Sequence, residues 1–131
     1  MLRVVGCFLE YDGKFAVLLR RPEKPDGNTW GLPAGKVEDG ETDQSAVLRE
    51  LWEETGYRAD PSELQYVRED VFNFEPQPVT FVVYKVILTH PHEISLEEKA
   101  HVNYRWVTPG EGYTLPMIPG LRLVLRLVDY I

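Results

Sequence analysis

Three glutamates share one face of a helix that the sequence predicts near the middle of the chain. Residues 42–55 contain no Pro or Gly, a Thr-Asp pair is typical of a helix start, and Gly56 is typical of a left-handed helix end. Glu50, Glu53 and Glu54 then lie at positions i, i+3 and i+4, which places their carboxylates side by side. The spacing therefore predicts an acidic face on one helix of about four turns.

This acidic face is locally unfavourable, and a bound cation would relieve it. Like charges at these spacings cost about 0.2–0.5 kcal/mol per pair. The carboxylates also crowd the C-terminal end of the helix, where the macrodipole disfavours each anion by about 0.3–1 kcal/mol. Arg49 offsets only part of this cost. A hard divalent cation such as Mg²⁺ or Mn²⁺ prefers carboxylate oxygens, so the pattern favours a metal site over the alternative of a solvated acidic face.

The residues around this helix resemble the signature motif of the Nudix hydrolases. The spacing is glycine, five residues, glutamate, seven residues and then Arg-Glu-aliphatic-x-Glu-Glu-x-Gly. The chain matches it at Gly35, Glu41, Arg49, Glu50, Leu51, Glu53, Glu54 and Gly56. One position differs, because the motif usually ends in an aliphatic residue and this chain has Tyr57. Tyr57 follows the helix at a packing position, so we expect no effect on the chemistry.

The resemblance implies a fold and a reaction. The expected fold is the Nudix fold, an α/β/α sandwich with a mixed β-sheet. The expected reaction is attack of water on a phosphorus of a diphosphate linkage, with Mg²⁺ or Mn²⁺ as cofactor. In such proteins the motif glutamates bind the metal, so Glu50 and Glu54 are the best-placed ligands. Glu53 is a further ligand or positions a metal-bound water, and the backbone carbonyl of Gly35 is a further candidate ligand.

Other catalytic candidates surround these ligands. The planar guanidinium of Arg49 is suited to orienting a carboxylate, and Glu41 is expected to meet Arg49 or Glu50 from the preceding loop. A general base often comes from a later loop in this family. The acidic segment 95–99 supplies Glu98 or Glu97 as a candidate, although a solvated loop is the simpler interpretation.

Substrate-binding candidates lie outside the motif. Arg20 and Arg21 precede it in a loop and are candidates to meet substrate phosphates. Trp30 is a candidate to pack on a nucleobase, although core packing is favoured. Phe72 and Phe74 alternate near the end of a predicted strand, so both rings lie on one face and form a candidate stacking platform for a base, with core packing again the alternative.

Composition limits the class of protein. We predict a single domain over residues 1–131, with ordinary globular contents of 44% hydrophobic and 27% charged residues. The net charge of −7 and the lack of a basic stripe argue against binding to a nucleic acid polymer, whereas a small nucleotide remains possible. The single cysteine, Cys7, cannot form an internal disulfide, and no membrane span or signal peptide is evident. We therefore expect a cytoplasmic monomer or homodimer.

Hydrophobic periodicity predicts strands on both sides of the central helix and a helix at the end of the chain. An Asp-Gly turn joins the first two strands, and residues 21–31 read as a loop. The predicted strands and short extended segments are residues 2–9, 14–20, 32–37, 64–74, 79–88 and 103–107, and the predicted terminal helix spans residues 117–131.

Several functions remain open at this point. Hydrolysis of nucleoside triphosphates to the monophosphate and pyrophosphate is the first expectation, and ADP-ribose or another nucleotide sugar is an alternative substrate. A non-catalytic module that senses a nucleotide is a second class, but such modules usually lack one or more motif glutamates. The segment 31–36 resembles a phosphate-binding P-loop, yet it is one residue short and contains Pro33. Action on RNA ends is disfavoured by the net charge.

Overall fold

A β-hairpin with a two-residue turn begins the fold. The computed structural model describes residues 2–131, and its first two strands are β1 (Leu2–Tyr11) and β2 (Lys14–Arg20), which pair antiparallel. Asp12 and Gly13 connect them with φ angles of 52° and 76°. Two positive φ angles are typical of a type I′ turn, which matches the twist of the strands. The Asp-Gly turn is thus where the sequence predicts it.

The regular elements of the described residues are seven strands, three α-helices and a short 3₁₀-helix at Pro61–Glu63. After the hairpin follow β3 (Trp30–Gly31), β4 (Ala34–Lys36), α1 (Asp43–Thr55), β5 (Gln65–Phe72), β6 (Val79–Ile87), β7 (His101–Val107), α2 (Pro109–Thr114) and α3 (Leu121–Leu127). The sheet has the order β3-β2-β1-β6-β5, with β4 paired to β1 and β7 paired to β2. Strands β1 and β6 are parallel and the other pairs are antiparallel, so the sheet is mixed, as expected.

The sheet is covered on both faces. Alternate residues of β1 enter two separate cores, with Cys7 in one and Phe8 in the other. Helix α1 covers the first core through fully buried residues such as Leu51. Helix α3 covers the second core through Leu121, Val124 and Leu125. The expected α/β/α sandwich is confirmed, and the thiol of Cys7 is buried as a small apolar group.

The predicted terminal helix over residues 117–131 is wrong in its extent. Only Leu121–Leu127 is helical there, and the short helix α2 precedes it. Gly120 adopts a φ of 90°, outside the helical region, so the chain turns just before α3 begins. Met117 instead forms a parallel bridge with Trp30. The helical spacing of the apolar residues was correct, but it did not show where the helix begins.

Other strand boundaries also differ from the prediction, and two of them have a clear cause. The end of the predicted loop 21–31 is strand β3, because Trp30 pairs with Leu19 at the end of β2. Strand β5 ends at Phe72, two residues before the predicted end at Phe74. Strand β3 depends on its pairing with β2, which local patterns do not report, and β5 ends where its pairing with β6 ends, at Phe72 and Val79. In the part of the chain that the structure describes, no helix has the length and apolar character needed to cross a membrane.

Candidate active site

Helix α1 is capped at both ends by the residues that the sequence indicates. The Thr42 side chain accepts a hydrogen bond from the Ser45 N–H, and the Ser45 hydroxyl accepts one from the Thr42 N–H, both at 3.0 Å. At the other end Gly56 adopts a φ of 73° and donates its N–H to the Trp52 carbonyl. This reciprocal cap and left-handed end set the start and end of the helix, which places the three glutamates on one face.

Arg49 lies among the carboxylates and holds three of them. Its Nε and Nη2 donate to the two oxygens of Glu41 at 2.9 and 3.0 Å. Its Nη1 donates to Glu50 at 2.8 Å and to Glu53 at 3.2 Å, and Nη2 also donates to the Lys36 carbonyl at 3.1 Å. The hydrogen bonds from Arg49 are the main reason that the pKa of Glu41 falls to about 2. Arg49 therefore relieves part of the charge repulsion and orients Glu41 and Glu50.

Glu54 is the most deeply placed carboxylate of the helix. Glu54 is 8% exposed, and its Oε1 accepts a hydrogen bond from the Ala34 N–H at 2.8 Å. Burial is the main cause that raises the pKa of Glu54 to about 8, and the negative charges of Glu50 and Glu97 contribute to this rise. The ionised form is thus disfavoured in the absence of a cation. A bound divalent cation would reverse this balance and favour the carboxylate.

Gly35 provides the space in which Glu50 lies. A Cβ atom at position 35 would be 2.0 Å from Oε1 and 2.3 Å from Cδ of Glu50, closer than any real side-chain contact. Strand β4 therefore passes so close to helix α1 that only glycine fits beside the carboxylate. Burial also raises the pKa of Glu50, although its hydrogen bond to Arg49 opposes this. The close approach gives the motif glycine a steric role.

The donor set suits a hard divalent cation, although the carboxylates are not already gathered around one point. Among residues 2–131, no three His, Cys, Asp or Glu side chains are arranged to hold a metal ion. Arg49 instead engages Glu50 and Glu53, while the Ala34 N–H engages Glu54. Each of these carboxylates hydrogen-bonds through one oxygen and leaves the other free of described partners. Three oxygen donors beside a glycine-lined space fit Mg²⁺ or Mn²⁺.

The later acidic loop brings Glu97 toward these carboxylates. Its negative charge contributes to raising the pKa of both Glu50 and Glu54. Glu98 is an exposed residue, and its backbone carbonyl accepts a hydrogen bond from Arg21 Nη1 at 2.8 Å. The structure thus places Glu97, the other candidate of this segment, within electrostatic reach of the glutamate face.

The C-terminus of helix α1 tethers this loop. The Thr55 carbonyl accepts hydrogen bonds from the Ser95 N–H and from His92 Nε2, both at 2.9 Å. A Cβ at Gly56 would lie 2.9 Å from the Ser95 Cβ, so the glycine permits this close approach. Tyr57 packs edge-on against the His92 ring at 5.2 Å. This contact accounts for an aromatic residue where the motif usually has an aliphatic one.

A cavity of about 180 Å³ extends from Glu54 between the sheet and the segment before α3. One end is polar and is lined by Arg20 and His101 as well as Glu54. The other end is apolar. Its walls are contributed by Val79, Phe72, Phe74, Phe81, Ile118 and Leu121. The cavity therefore joins the carboxylates to a hydrophobic recess.

The predicted substrate-binding residues divide into two groups. Arg20, Phe72 and Phe74 line the cavity, and the two phenylalanine rings stack at 5.5 Å with an angle of 10° between their planes. Trp30 packs in the second core and does not line the cavity. Arg21 does not line the cavity either, and its Nε donates to Glu23 at 2.6 Å. The structure thus brings three of the five candidates to one place.

Two features of the site were not predicted from the sequence. The Ala34 N–H that holds Glu54 is a backbone group, which every residue except proline has, so the sequence does not indicate its role. His101 is 7% exposed and lines the polar end of the cavity. A lone histidine at the start of a strand gives no signal of its own, so only the fold shows that it lies near Glu54.

Comparison with known proteins gives the family to which this fold and this glutamate face belong. The NUDIX domain model matches residues 1–128, so the chain belongs to the Nudix family. It is 32% identical over 108 residues to a MutT-like protein from Streptomyces ambofaciens, covering 82% of this chain and 64% of that protein. It is 29% identical over 119 residues to the CTP pyrophosphohydrolase of Escherichia coli K12, covering 91% of this chain and 84% of that protein.

Solved structures support the same fold. The crystal structure of a MutT protein from Methanosarcina mazei superimposes with a TM-score of 0.80 at 23% identity, covering 98% of this chain and 92% of that one. The NUDIX domain of Shewanella oneidensis NrtR, solved with ADP ribose, gives a TM-score of 0.80 at 18% identity, covering 98% and 87% of the two chains. The family and its named hydrolases identify this protein as a Nudix hydrolase.

Proposed function

We propose that this protein is a Mg²⁺- or Mn²⁺-dependent pyrophosphohydrolase that cleaves nucleoside triphosphates to the nucleoside monophosphate and pyrophosphate. The observation that carries the proposal is the position of Glu54. This buried carboxylate belongs to the acidic face of α1 and also lines a cavity whose far end is apolar and aromatic. A substrate with a phosphate chain at one end and a planar base at the other matches this arrangement.

The motif residues have separate roles in this proposal. Glu50, Glu53 and Glu54 would hold the cation, and Gly35 leaves room for Glu50 and would offer its carbonyl as a further ligand. When bound, the cation would neutralise charge on the phosphate oxygens and lower the pKa of a bound water. Arg49 keeps Glu50 in one orientation through the 2.8 Å hydrogen bond and is itself anchored by Glu41. Such partners of metal ligands typically contribute 10- to 100-fold in affinity or activity.

Glu97 is the better candidate for the general base. Its charge acts on Glu50 and Glu54, whereas Glu98 is exposed and contributes a backbone carbonyl to Arg21. In the proposed reaction Glu97 takes a proton from the attacking water as the new phosphorus–oxygen bond forms. The anhydride phosphorus–oxygen bond breaks, and the leaving phosphate departs with the bonding electron pair. A base that acts in this way contributes about 10²- to 10⁴-fold to the rate.

The substrate class follows from the cavity and from the relatives. Phe72 and Phe74 stack in the apolar end, and stacked aromatic rings are suited to contacting a nucleobase. The name of the E. coli relative makes CTP the first triphosphate to test. ADP-ribose is the second candidate, because the NrtR domain of similar fold was solved with that ligand. A non-catalytic sensor is disfavoured, because this chain retains the motif glutamates.

The test is product release from a panel of nucleotides. The purified protein is incubated with the four ribonucleoside triphosphates, ADP-ribose, dinucleoside polyphosphates and NADH, with Mg²⁺, with Mn²⁺ or with EDTA. We expect pyrophosphate and a monophosphate from one or more triphosphates, with no turnover in EDTA. Glu54→Gln should abolish turnover while the protein stays folded. Turnover of ADP-ribose alone would favour the second substrate class, and binding without turnover in every well would favour the sensor.

A further inference from the structure

His101 is a buried histidine that lacks a partner at one ring nitrogen. The residue is 7% exposed and begins strand β7, directly opposite Arg20 of β2. Its Nδ1 is fully enclosed and has no hydrogen-bond partner among residues 2–131. A buried polar side chain that lacks a partner destabilises a protein, so such a group calls for an explanation. Because Nδ1 is enclosed, its lack of a partner determines which ring nitrogen carries the proton. His101 also lines the cavity that contains Glu54.

The surroundings keep the imidazole neutral and determine which nitrogen can donate. Burial, with a smaller effect from the charge of Arg20, lowers the pKa of His101 to about 4. The neutral ring has one N–H and one acceptor nitrogen. An enclosed N–H without an acceptor is rarer in proteins than an enclosed acceptor without a donor, so the proton belongs on Nε2. His101 therefore has one N–H, at Nε2, from which a ligand can accept a hydrogen bond.

Arg20 adds a second set of unused donors to the same place. Its Nε donates to the Pro25 carbonyl at 2.6 Å, and no carboxylate within the described chain pairs with its guanidinium. Its positive charge reaches both His101 and Glu54, because it lowers the pKa of each. The polar end of the cavity thus combines an unpaired cation with an unpaired N–H. Both are donors suited to an anion.

We infer that Arg20 and His101 together bind a phosphate group of the substrate beside the metal-binding carboxylates. This inference rests on the proposed function and assigns His101 as a substrate-binding residue. The size of the cavity agrees with a base at one end and phosphates at the other, because a cavity of about 150 Å³ holds one benzene-sized ring. At about 180 Å³, this cavity has room for a base at the apolar end, and the phosphates then lie toward Arg20 and Glu54.

Metal-free binding observed by NMR tests this inference without requiring catalysis. Cytidine, CMP and CDP are added in EDTA while the imidazole signals are followed over a pH range. The chain has three histidines, so comparison with His101→Gln identifies the His101 signal. We expect CMP or CDP to shift this signal and to raise the pKa of His101 by about 1 or more, because a nearby anion favours the protonated ring. Cytidine should leave that pKa unchanged.

Two outcomes of this titration would overturn the inference. If cytidine shifts the His101 signal as much as CDP does, the ring contacts the nucleoside and does not contact phosphate. If CDP binds, as judged by other resonances, and the His101 signal stays fixed, the ring contacts no part of the ligand. Either result leaves the proposed hydrolase activity untouched, because the activity is measured separately with metal present.

Kinetics supply the second test. His101→Leu removes the N–H and keeps an apolar side chain in the buried site, whereas His101→Gln keeps an N–H at a similar distance. Loss of a hydrogen bond to a charged group predicts a rise in KM for the preferred triphosphate of about 10- to 100-fold, with little change in kcat. His101→Gln should recover most of this loss. An unchanged KM in a folded His101→Leu protein would refute the role of His101, whereas absence of turnover in the wild type would instead refute the proposed function.

Discussion

Gly35→Ala should weaken metal binding by about 10- to 100-fold and spare the fold. The new Cβ would lie 2.0 Å from Oε1 of Glu50, so the carboxylate must leave its place. The displaced atoms are the end of a flexible side chain that gains hydration by moving outward. We therefore expect the free energy of unfolding of the metal-free protein to change by no more than about 1 kcal/mol, at the lower end of overpacking costs. The hydrogen bond from Arg49 to Glu50 is lost with this movement.

The effect on metal binding can be given a magnitude. Misplacing groups that support a metal site typically lowers affinity by about 10- to 100-fold. At a metal concentration 100 times Kd, binding stabilises the folded wild type by about 2.7 kcal/mol, and a 100-fold weaker site leaves about 0.4 kcal/mol. For a chain of this size each kcal/mol raises Tm by about 3–5 °C. The metal should therefore raise Tm by about 8–13 °C in the wild type and by about 1–2 °C in Gly35→Ala.

Thermal unfolding with and without Mn²⁺ measures this difference. Gly110→Ala is the matched control, because a Cβ at Gly110 meets no atom within 4 Å and the residue lies in helix α2. The control should keep the full response to the metal and the full turnover. A Gly35→Ala protein that retains both would show that the close approach of β4 to Glu50 is not needed for the site. A metal-free Gly35→Ala protein that fails to fold would show that Glu50 cannot move as we expect.

Three further predictions concern other parts of the site. Glu97→Gln should lower kcat by about 10²- to 10⁴-fold, and Glu98→Gln should leave kcat nearly unchanged. Single-turnover assays compare the two variants, and a larger loss in Glu98→Gln would assign the base to Glu98. Arg49→Lys keeps the charge but loses the fork that holds Glu41, so kcat/KM should fall at least about tenfold, and an unchanged value would remove its orienting role. The pKa of His101 is about 4 in the folded protein and near 6.5 in the unfolded chain, so the unfolded chain binds more protons between these values. The neutral, buried His101 therefore adds to the free energy of unfolding above about pH 7, and this addition is lost as pH falls toward 4. Denaturant unfolding at pH 7 and pH 4 should therefore show about 3 kcal/mol more acid destabilisation in the wild type than in His101→Gln, and equal losses would mean that the histidine is not held neutral.

The helix that carries the site could be predicted from the sequence because its determinants are local. A hydrogen bond from Gly56 to Trp52 and a reciprocal cap between Thr42 and Ser45 each join residues three or four positions apart. The same holds for the spacing of the glutamates along the helix. The Asp-Gly turn between β1 and β2 is likewise a two-residue feature. The family motif adds no long-range geometry, but it does indicate which chemistry the acidic face performs.

The boundaries that the sequence missed depend on distant partners. Strand β3 exists because Trp30 pairs with Leu19, and Met117 is held in a bridge to Trp30 and does not enter a helix. The apolar spacing of the tail fits a helix along its whole length, so periodicity alone extended the helix too far. Pairing between residues far apart in the chain overrode that local preference.

The sequence by itself determined the acidic helix, its start and end, and the class of chemistry that three adjacent carboxylates favour. Tertiary structure alone decided how those carboxylates are used. The contact of Gly35 with Glu50 spans 15 positions, and the hydrogen bond from Ala34 to Glu54 spans 20. The choice of Glu97 over Glu98 as the candidate base also depends on how a distant loop docks on helix α1. Local backbone hydrogen bonds and side-chain spacing depend on neighbouring residues, whereas burial, charge proximity and cavities arise only when separate segments pack together.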